Sequence, residues 1–238
     1  MARRIIVLLS LLGASSLASA QEGGDEGGIS GKASLGFLAT SGNTESTNAN
    51  TAFNLVWARE VWSHEYNLRA VSATSNEATT AEAYTAAYTA RRPFGERGYL
   101  FAALDWESDR FSSYDSRLSE SVGYGRRFLD TARHVLSAEL GAGARELHRI
   151  DGTEESEAIL RAALDYAWTM SENASFTQQV TVESGSANTS TNSVSELRSR
   201  LFGDVALVLS FRIRRNSDVV PGTEETDRFT AVSLEYAF

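Results

Sequence analysis

The last eleven residues of the chain, 228–238, alternate with a period of two. Small or polar side chains occupy one face of this predicted strand, and larger side chains occupy the other face. A long alternating strand that ends in aromatic residues is typical of a transmembrane β-barrel, in which one face meets lipid. By itself, the same pattern is also compatible with an edge strand of a soluble sandwich. The residues of the larger face are Thr230, Val232, Leu234, Tyr236 and Phe238.

The start of the chain predicts export. Residues 1–20 combine two arginines, an apolar run at 5–12 and small residues that end at Ala20, the pattern of a cleaved signal peptide. A membrane anchor helix would need about 20 consecutive apolar residues, and this run breaks up after Leu12. The glycine- and acid-rich residues 21–30 predict a flexible periplasmic lead-in. With 22 basic and 31 acidic side chains, the chain lacks the basic surface that nucleic-acid binding requires.

The alternation recurs along the whole remaining chain, and no 18-residue apolar stretch follows the signal peptide. There are twelve such runs, and single-chain outer-membrane barrels require an even number of strands. The fifth run is ambiguous, because an outward set beginning at Leu100 would place the aromatic Phe101 in the interior. The runs lie near residues 32–39, 49–57, 65–70, 84–91, 99–107, 118–125, 136–145, 158–168, 176–183, 197–201, 207–214 and 228–238.

The connections between the runs alternate in length. Short turns are predicted at 59–63, 92–98, 129–133, 170–173 and 203–204, and longer polar connections at 41–47, 72–81, 108–116, 146–157, 184–193 and 215–227. A twelve-stranded barrel with both termini in the periplasm needs five inner turns and six outer loops. The absence of cysteine also fits a barrel closed by backbone hydrogen bonds. We therefore predict an all-β, transmembrane, antiparallel up-and-down barrel over residues 31–238, in the outer membrane of a Gram-negative envelope.

Three short motifs follow one another in the order and spacing of a known family. They are Ser-Gly-Asn-Thr at 41–44, Asp-Arg-Phe at 109–111, and Thr-Asp at 226–227 ahead of the C-terminal alternation. Over roughly residues 32–238 the chain resembles the YdiY-like family of salt-induced outer membrane proteins. The resemblance implies an outer-membrane location, a barrel fold and a link to salt stress. It supplies no catalytic residues.

The predicted lumen carries many charges, and a buried charge must be paired or hydrated. Two interpretations remain open: a closed ion-pair network, or a narrow porin-like channel, since twelve strands lie between filled 8-stranded barrels and open 16-stranded porins. The predicted lumen positions are Glu65, Arg69, Arg91, Glu139, Arg145, Arg161, Asp165, Glu183, Arg212 and Glu235. If the network is closed, we expect Arg69, Arg161 and Arg212 to pair with Glu65, Asp165 and Glu235.

An enzyme is an alternative from a different class, and it would need a nucleophile or an activated water beside a positioned base. His64 and His134 fall next to predicted inner turns. His148 falls in an outer connection with Asp151, Glu154 and Glu155, but the spacing does not match a calcium-binding loop. We therefore predict no catalytic residues, no metal site and no bound cofactor.

A third alternative is a structural barrel whose outer loops interact with neighbours. The small, uncharged connection 184–193 predicts a mobile, solvated loop. The expected partners are outer-membrane lipid and lipopolysaccharide, with the barrel assembly machinery and periplasmic chaperones during biogenesis. We predict that Leu234, Tyr236 and Phe238 form the assembly signal.

Overall fold

The computed structural model shows one closed β-barrel. The predicted signal peptide, most of the predicted lead-in, the motif at 41–44 and Phe111 lie outside the residues that the structure describes. The described residues are 28–40, 46–75, 78–110, 114–219 and 224–238.

Twelve antiparallel strands form the barrel, so the predicted fold class and strand number are confirmed. Each strand pairs with its neighbours in the chain, and β12 pairs with β1 to close the sheet. Within the described ranges, no helix is long and apolar enough to cross a membrane. The strands are β1 (Ile29–Thr40), β2 (Ser46–Arg59), β3 (Trp62–Ser75), β4 (Ala78–Phe94), β5 (Gly98–Asp109), β6 (Tyr114–Asp130), β7 (His134–Arg149), β8 (Glu154–Thr169), β9 (Ala174–Ser184), β10 (Thr189–Phe202), β11 (Val205–Asn216) and β12 (Thr226–Ala237).

We call the end of the barrel with Ile29 and Phe238 the inner end, and the opposite end the outer end. The inner turns occupy 60–61, 95–97, 131–133, 170–173 and 203–204, close to the predicted positions. The outer connections are shorter than predicted, because β3, β4, β7, β8 and β10 continue into segments assigned to loops. Most residues of these strand ends are polar, and the large apolar side chain of Leu147 in β7 is buried on the inner face, so no outward apolar alternation marks them although their backbones remain paired.

The distribution of apolar side chains is inverted relative to that of a soluble protein. Large apolar side chains point outward, with Leu140 71% exposed and Leu160 69% exposed, whereas charged Arg145 and Glu139 are buried inside. A soluble protein instead buries its large apolar side chains and exposes its charges. An apolar outer surface around a polar interior is the arrangement of a transmembrane barrel.

The orientation of β5 is settled by its neighbours. Leu100 and Leu104 point outward, while Tyr99 and Phe101 are buried inside the barrel. Tyr99 pairs with Gly125 in β6, and a Cβ atom on that glycine would lie 2.3 Å from Tyr99 Cζ. The interior therefore has room for these rings only because glycine stands opposite them.

The apolar outer surface is interrupted at β9 and β10. Gln178 points outward near mid-strand, and its Nε2 donates to Ser193 Oγ at 3.0 Å while its Oε1 accepts from Ser195 Oγ. This hydrogen-bonded cluster explains why the tenth alternating run is weak in the sequence. The strand carries Ser193 and Ser195 where its neighbour β11 carries Ile213 and Phe211.

Candidate functional site

The lumen contains a cavity of about 450 Å³ that extends along most of the barrel. Near the inner end, its wall includes Lys32 and Arg91, three residues from the ends of β1 and β4. Near the outer end, it includes Arg117 and Arg214. The lining is mostly polar, so water can fill the cavity.

An ion-pair layer crosses the lumen near its outer end. Arg214 in β11 reaches β5 on the opposite wall, where its guanidinium pairs with Glu107 and Asp109. Arg117 in β6 binds the other oxygen of Glu107 at 2.7 Å, and it also donates to Ser190 Oγ at 2.8 Å. This layer narrows the outer part of the lumen.

Arg161 lies at the centre of the lumen among acidic side chains. Its Nη1 is 3.5 Å from Glu183 Oε1 and 3.6 Å from Asp105 Oδ2, and its Nη2 is 4.0 Å from Glu139 Oε2. The guanidinium also lies 5.9 Å from the centre of the Phe101 ring. One basic group therefore compensates several carboxylates, and water in the adjoining cavity can solvate the negative charge that remains.

Arg145 anchors the wall formed by β7 to β9. Its guanidinium is fully buried, pairs with Glu157, donates to the backbone carbonyl of Asn188 and lies 4.0 Å from Glu183. Glu183 also accepts a hydrogen bond from Ser119 Oγ at 3.1 Å. This part of the interior is packed rather than hydrated.

Toward the inner end, Arg91 joins two acidic side chains. Its Nη1 donates to Glu65 Oε2 at 2.7 Å, and its Nε donates to Glu139 Oε1 at 3.1 Å. Tyr99 donates to the same Glu139 oxygen at 3.0 Å. Because Glu139 also faces Arg161, it connects the inner ion pairs to the central ones.

The three pairs expected for a closed network do not form. Arg69 lies 3.8 Å from Glu196 rather than beside Glu65, and Arg198 rather than Arg212 binds Glu235, at 2.6 Å. Within the described residues, Arg212 and Asp165 have no hydrogen bond or ion pair. Side chains that meet across the lumen come from distant strands, whose relative heights depend on the tilt of the closed barrel.

Sequence reasoning missed several lumen charges. Two of them, Asp105 and Glu107, alternate with the outward residues of β5 and would follow from an inward Phe101, whereas Asp109 lies in the predicted connection 108–116. Two others lie in the weak run of β10. The missed residues are Asp105, Glu107, Asp109, Arg117, Glu157, Glu196 and Arg198.

The outer end is partly covered by the connection after β11. Asp218 in this connection pairs with Arg149 at 2.9 Å, and its carbonyl accepts from the Tyr114 hydroxyl at 3.1 Å. Asn188, which is 1% exposed, accepts the backbone N–H groups of Ser217 and Asp218. The prediction of a solvated loop at 184–193 is therefore wrong: residues 189–193 belong to β10, and Asn188 packs inside.

Two histidines lie in an aromatic girdle on the outside of the inner end. His64 Nδ1 is 2.8 Å from the Tyr88 hydroxyl, and its ring stacks near Trp62. His134 Nδ1 is 2.9 Å from the Tyr166 hydroxyl. Amphipathic rings at this position are typical of a membrane–water interface.

The third histidine, His148, lies at the outer end, 3.3 Å from Glu154. In the next turn, the hydroxyl and backbone N–H of Thr153 donate to Asp151, and these hydrogen bonds lower the pKa of its carboxyl group. No group of three potential ligands in the described part of the chain is placed to hold a metal ion.

The predicted assembly residues all point outward at the inner end. Leu234, Tyr236 and Phe238 are each about half exposed. The backbone of Phe238 exchanges two hydrogen bonds with Gly31, at 2.8 and 2.9 Å. These bonds extend the ladder between β12 and β1, which closes the barrel.

Comparisons with known proteins agree with this architecture. The chain is 32% identical over 208 residues to the uncharacterized protein YdiY of Escherichia coli K12, covering 87% of this chain and 82% of that protein. An outer membrane channel from Pseudomonas putida F1 superposes with a TM-score of 0.50 at 10% identity, covering 94% of this chain and 99% of the channel. The NanC porin superposes with a TM-score of 0.48 at 10% identity, covering 88% and 98%.

The likeness to the solved channel concerns the fold alone. The profile of the family described as "Protein of unknown function, DUF481" matches residues 33–238. The predicted resemblance to YdiY is therefore confirmed, and the chain belongs to the DUF481 family.

Proposed function

We propose that the protein is an outer-membrane barrel whose lumen is a narrow, hydrated pathway for ions and small polar solutes. The observation that carries this proposal is the polar cavity of about 450 Å³ beside the ion pairs, extending from Lys32 to Arg214. A filled barrel would leave no such space, because side chains pack an interior to crystal-like density.

The unpaired charges of the lumen support the same proposal. Arg212 and Asp165 both line the cavity without an ion-pair partner in the described part of the chain. An ionised side chain in a dry interior costs several kcal/mol when it has no partner. Water in the cavity removes most of that cost, so these positions favour a hydrated lumen over a closed network.

The surface of the barrel supports an outer-membrane location. Exposed leucines surround its middle, and an aromatic girdle surrounds its inner end. The predicted signal peptide at 1–20 would direct export. We propose that the barrel contacts phospholipid and lipopolysaccharide, and that chaperones and the barrel assembly machinery insert it. The link to salt stress rests on the family resemblance and remains a prediction.

Single-channel recording in planar bilayers tests the pathway. We expect a small resolved conductance for the wild type, and a larger one for Arg214→Ala, because that change removes the layer crossing the lumen. Arg215→Ala is the matched control, since Arg215 pairs with Glu225 on the exposed rim at 3.1 Å. Silence of all three proteins would contradict the proposal. Release of fatty acid or peptide from added substrates would instead indicate an enzyme.

A further inference from the structure

One basic group on the proposed pathway, Arg212, makes no ion pair with any residue that the structure describes. Arg212 projects from β11 into the lumen, and its Nε is buried without a hydrogen bond to any described residue. The neighbouring acids bind other bases: Glu107 binds Arg117 and Arg214, and Glu235 binds Arg198. Arg212 therefore retains its guanidinium donors for a ligand.

A second arginine, Arg69, lines the same cavity. Arg69 lies on β3, and β12, β1 and β2 separate its strand from β11. The Arg69 guanidinium reaches Glu196 of β10, which pairs with Ser210, two residues from Arg212 along β11. Glu107 and Glu196 attract Arg212, and Arg69 repels it. Among the described residues, Arg69 has one ion pair, to Glu196 at 3.8 Å, which is longer than a hydrogen bond. Its donors are therefore largely free as well.

We propose that Arg69 and Arg212 form a binding site for a small oxyanion, a solute that carries a carboxylate or phosphate group. This proposal rests on the proposed pathway and names the class of solute that it favours. Each guanidinium presents a planar fork of donors that matches two oxygens of such a group. An anion between the arginines also replaces their mutual repulsion with two attractive interactions.

The position of the site gives it a role in selection. It lies on the cavity wall inside the layer formed by Arg214, Glu107 and Asp109. A solute that enters from outside passes this layer and then meets the arginine pair. Fixed charges beside a narrow pathway favour ions of the opposite sign, so the arginine pair makes the pathway prefer anions.

Binding can be measured on the purified barrel without any current. We expect inorganic phosphate to raise the unfolding midpoint of the wild type above that in chloride at equal ionic strength, because a ligand stabilises the state that binds it. Arg212→Gln should lose this shift, and Arg212→Lys should keep part of it. The control Arg215→Gln should keep all of it. Equal shifts in the wild type and Arg212→Gln, or equal midpoints in phosphate and chloride, would overturn the site.

Arg212→Gln should fold at least as well as the wild type without phosphate, since it removes a buried repulsive charge. If it does not fold, Arg69→Gln provides the same comparison. Reversal potentials separate the site from the pathway: Arg212→Gln should lower the anion preference, and Arg215→Gln should leave it unchanged. A silent barrel whose midpoint still responds to phosphate would refute the pathway and support the site. A conducting barrel whose unfolding midpoint does not respond to phosphate would support the pathway and refute the site.

Discussion

A charge placed on the outer surface of β8 tests the orientation of the whole barrel. Leu164 points outward and is 40% exposed, while its neighbour Ala163 is 9% exposed and lines the cavity. Leu164 lies four residues from Trp168 at the inner end of the strand. With about 3.3 Å per residue and a tilt of about 45°, it lies about 10 Å from that interface, near the middle of an apolar band about 25 Å tall.

Leu164→Arg should therefore lower the free energy of unfolding by about 2–4 kcal/mol, the cost of arginine near the bilayer midplane. Ala163→Ser should change it little, because the new hydroxyl faces a polar lumen. Leu164→Ala separates the cost of the charge from the loss of an apolar side chain. Urea titration of the barrel in lipid vesicles measures all three. Equal losses for Leu164→Arg and Ala163→Ser would show that the two faces of β8 are exchanged.

Three further changes test other parts of the structure. Arg161→Ala should lower the free energy of unfolding by less than the roughly 3–5 kcal/mol that breaking a dry buried ion pair costs, and it should shift the reversal potential toward cations. A loss of the full roughly 3–5 kcal/mol with an unchanged reversal potential would favour the closed network. Gln178→Leu should lower the free energy of unfolding by about 1 kcal/mol by unpairing the serine hydroxyls, whereas adding Ser193→Val and Ser195→Val to it should restore wild-type stability, as urea titration would show. Deleting Phe238 should reduce the folded, heat-modifiable form in outer membranes, because its hydrogen bonds to Gly31 help close the barrel; full recovery would count against this.

The sequence predicts the membrane-facing part of this fold well, because alternation is a local signal that each strand carries separately. It predicts the strand ends poorly. At Ser75 and Glu154, both inside strands, neither face is apolar, so the pattern stops before the pairing does. It also understates β10, whose outward serines are satisfied by Gln178 from the adjacent strand.

The lumen is predictable as a list of charges but not as a set of contacts. Alternation places Arg69 and Arg212 inside the barrel without any knowledge of the tilt. Their neighbours depend on how far each strand is shifted when the sheet closes, a property of all twelve strands together. For that reason the pairs of Arg69 with Glu196 and of Arg198 with Glu235 could not be deduced from spacing.

The most direct test of a hydrated lumen uses the natural absence of cysteine, since any introduced thiol is unique. Ser210 lines the cavity, and its neighbour Leu209 points outward and is 45% exposed. In lipid bilayers, Ser210→Cys should react with a small charged thiol reagent and the reaction should lower the conductance, while Leu209→Cys should stay unreactive. An unreactive Ser210→Cys would show that the lumen is closed, and a reactive Leu209→Cys would show that the outer surface is not in lipid.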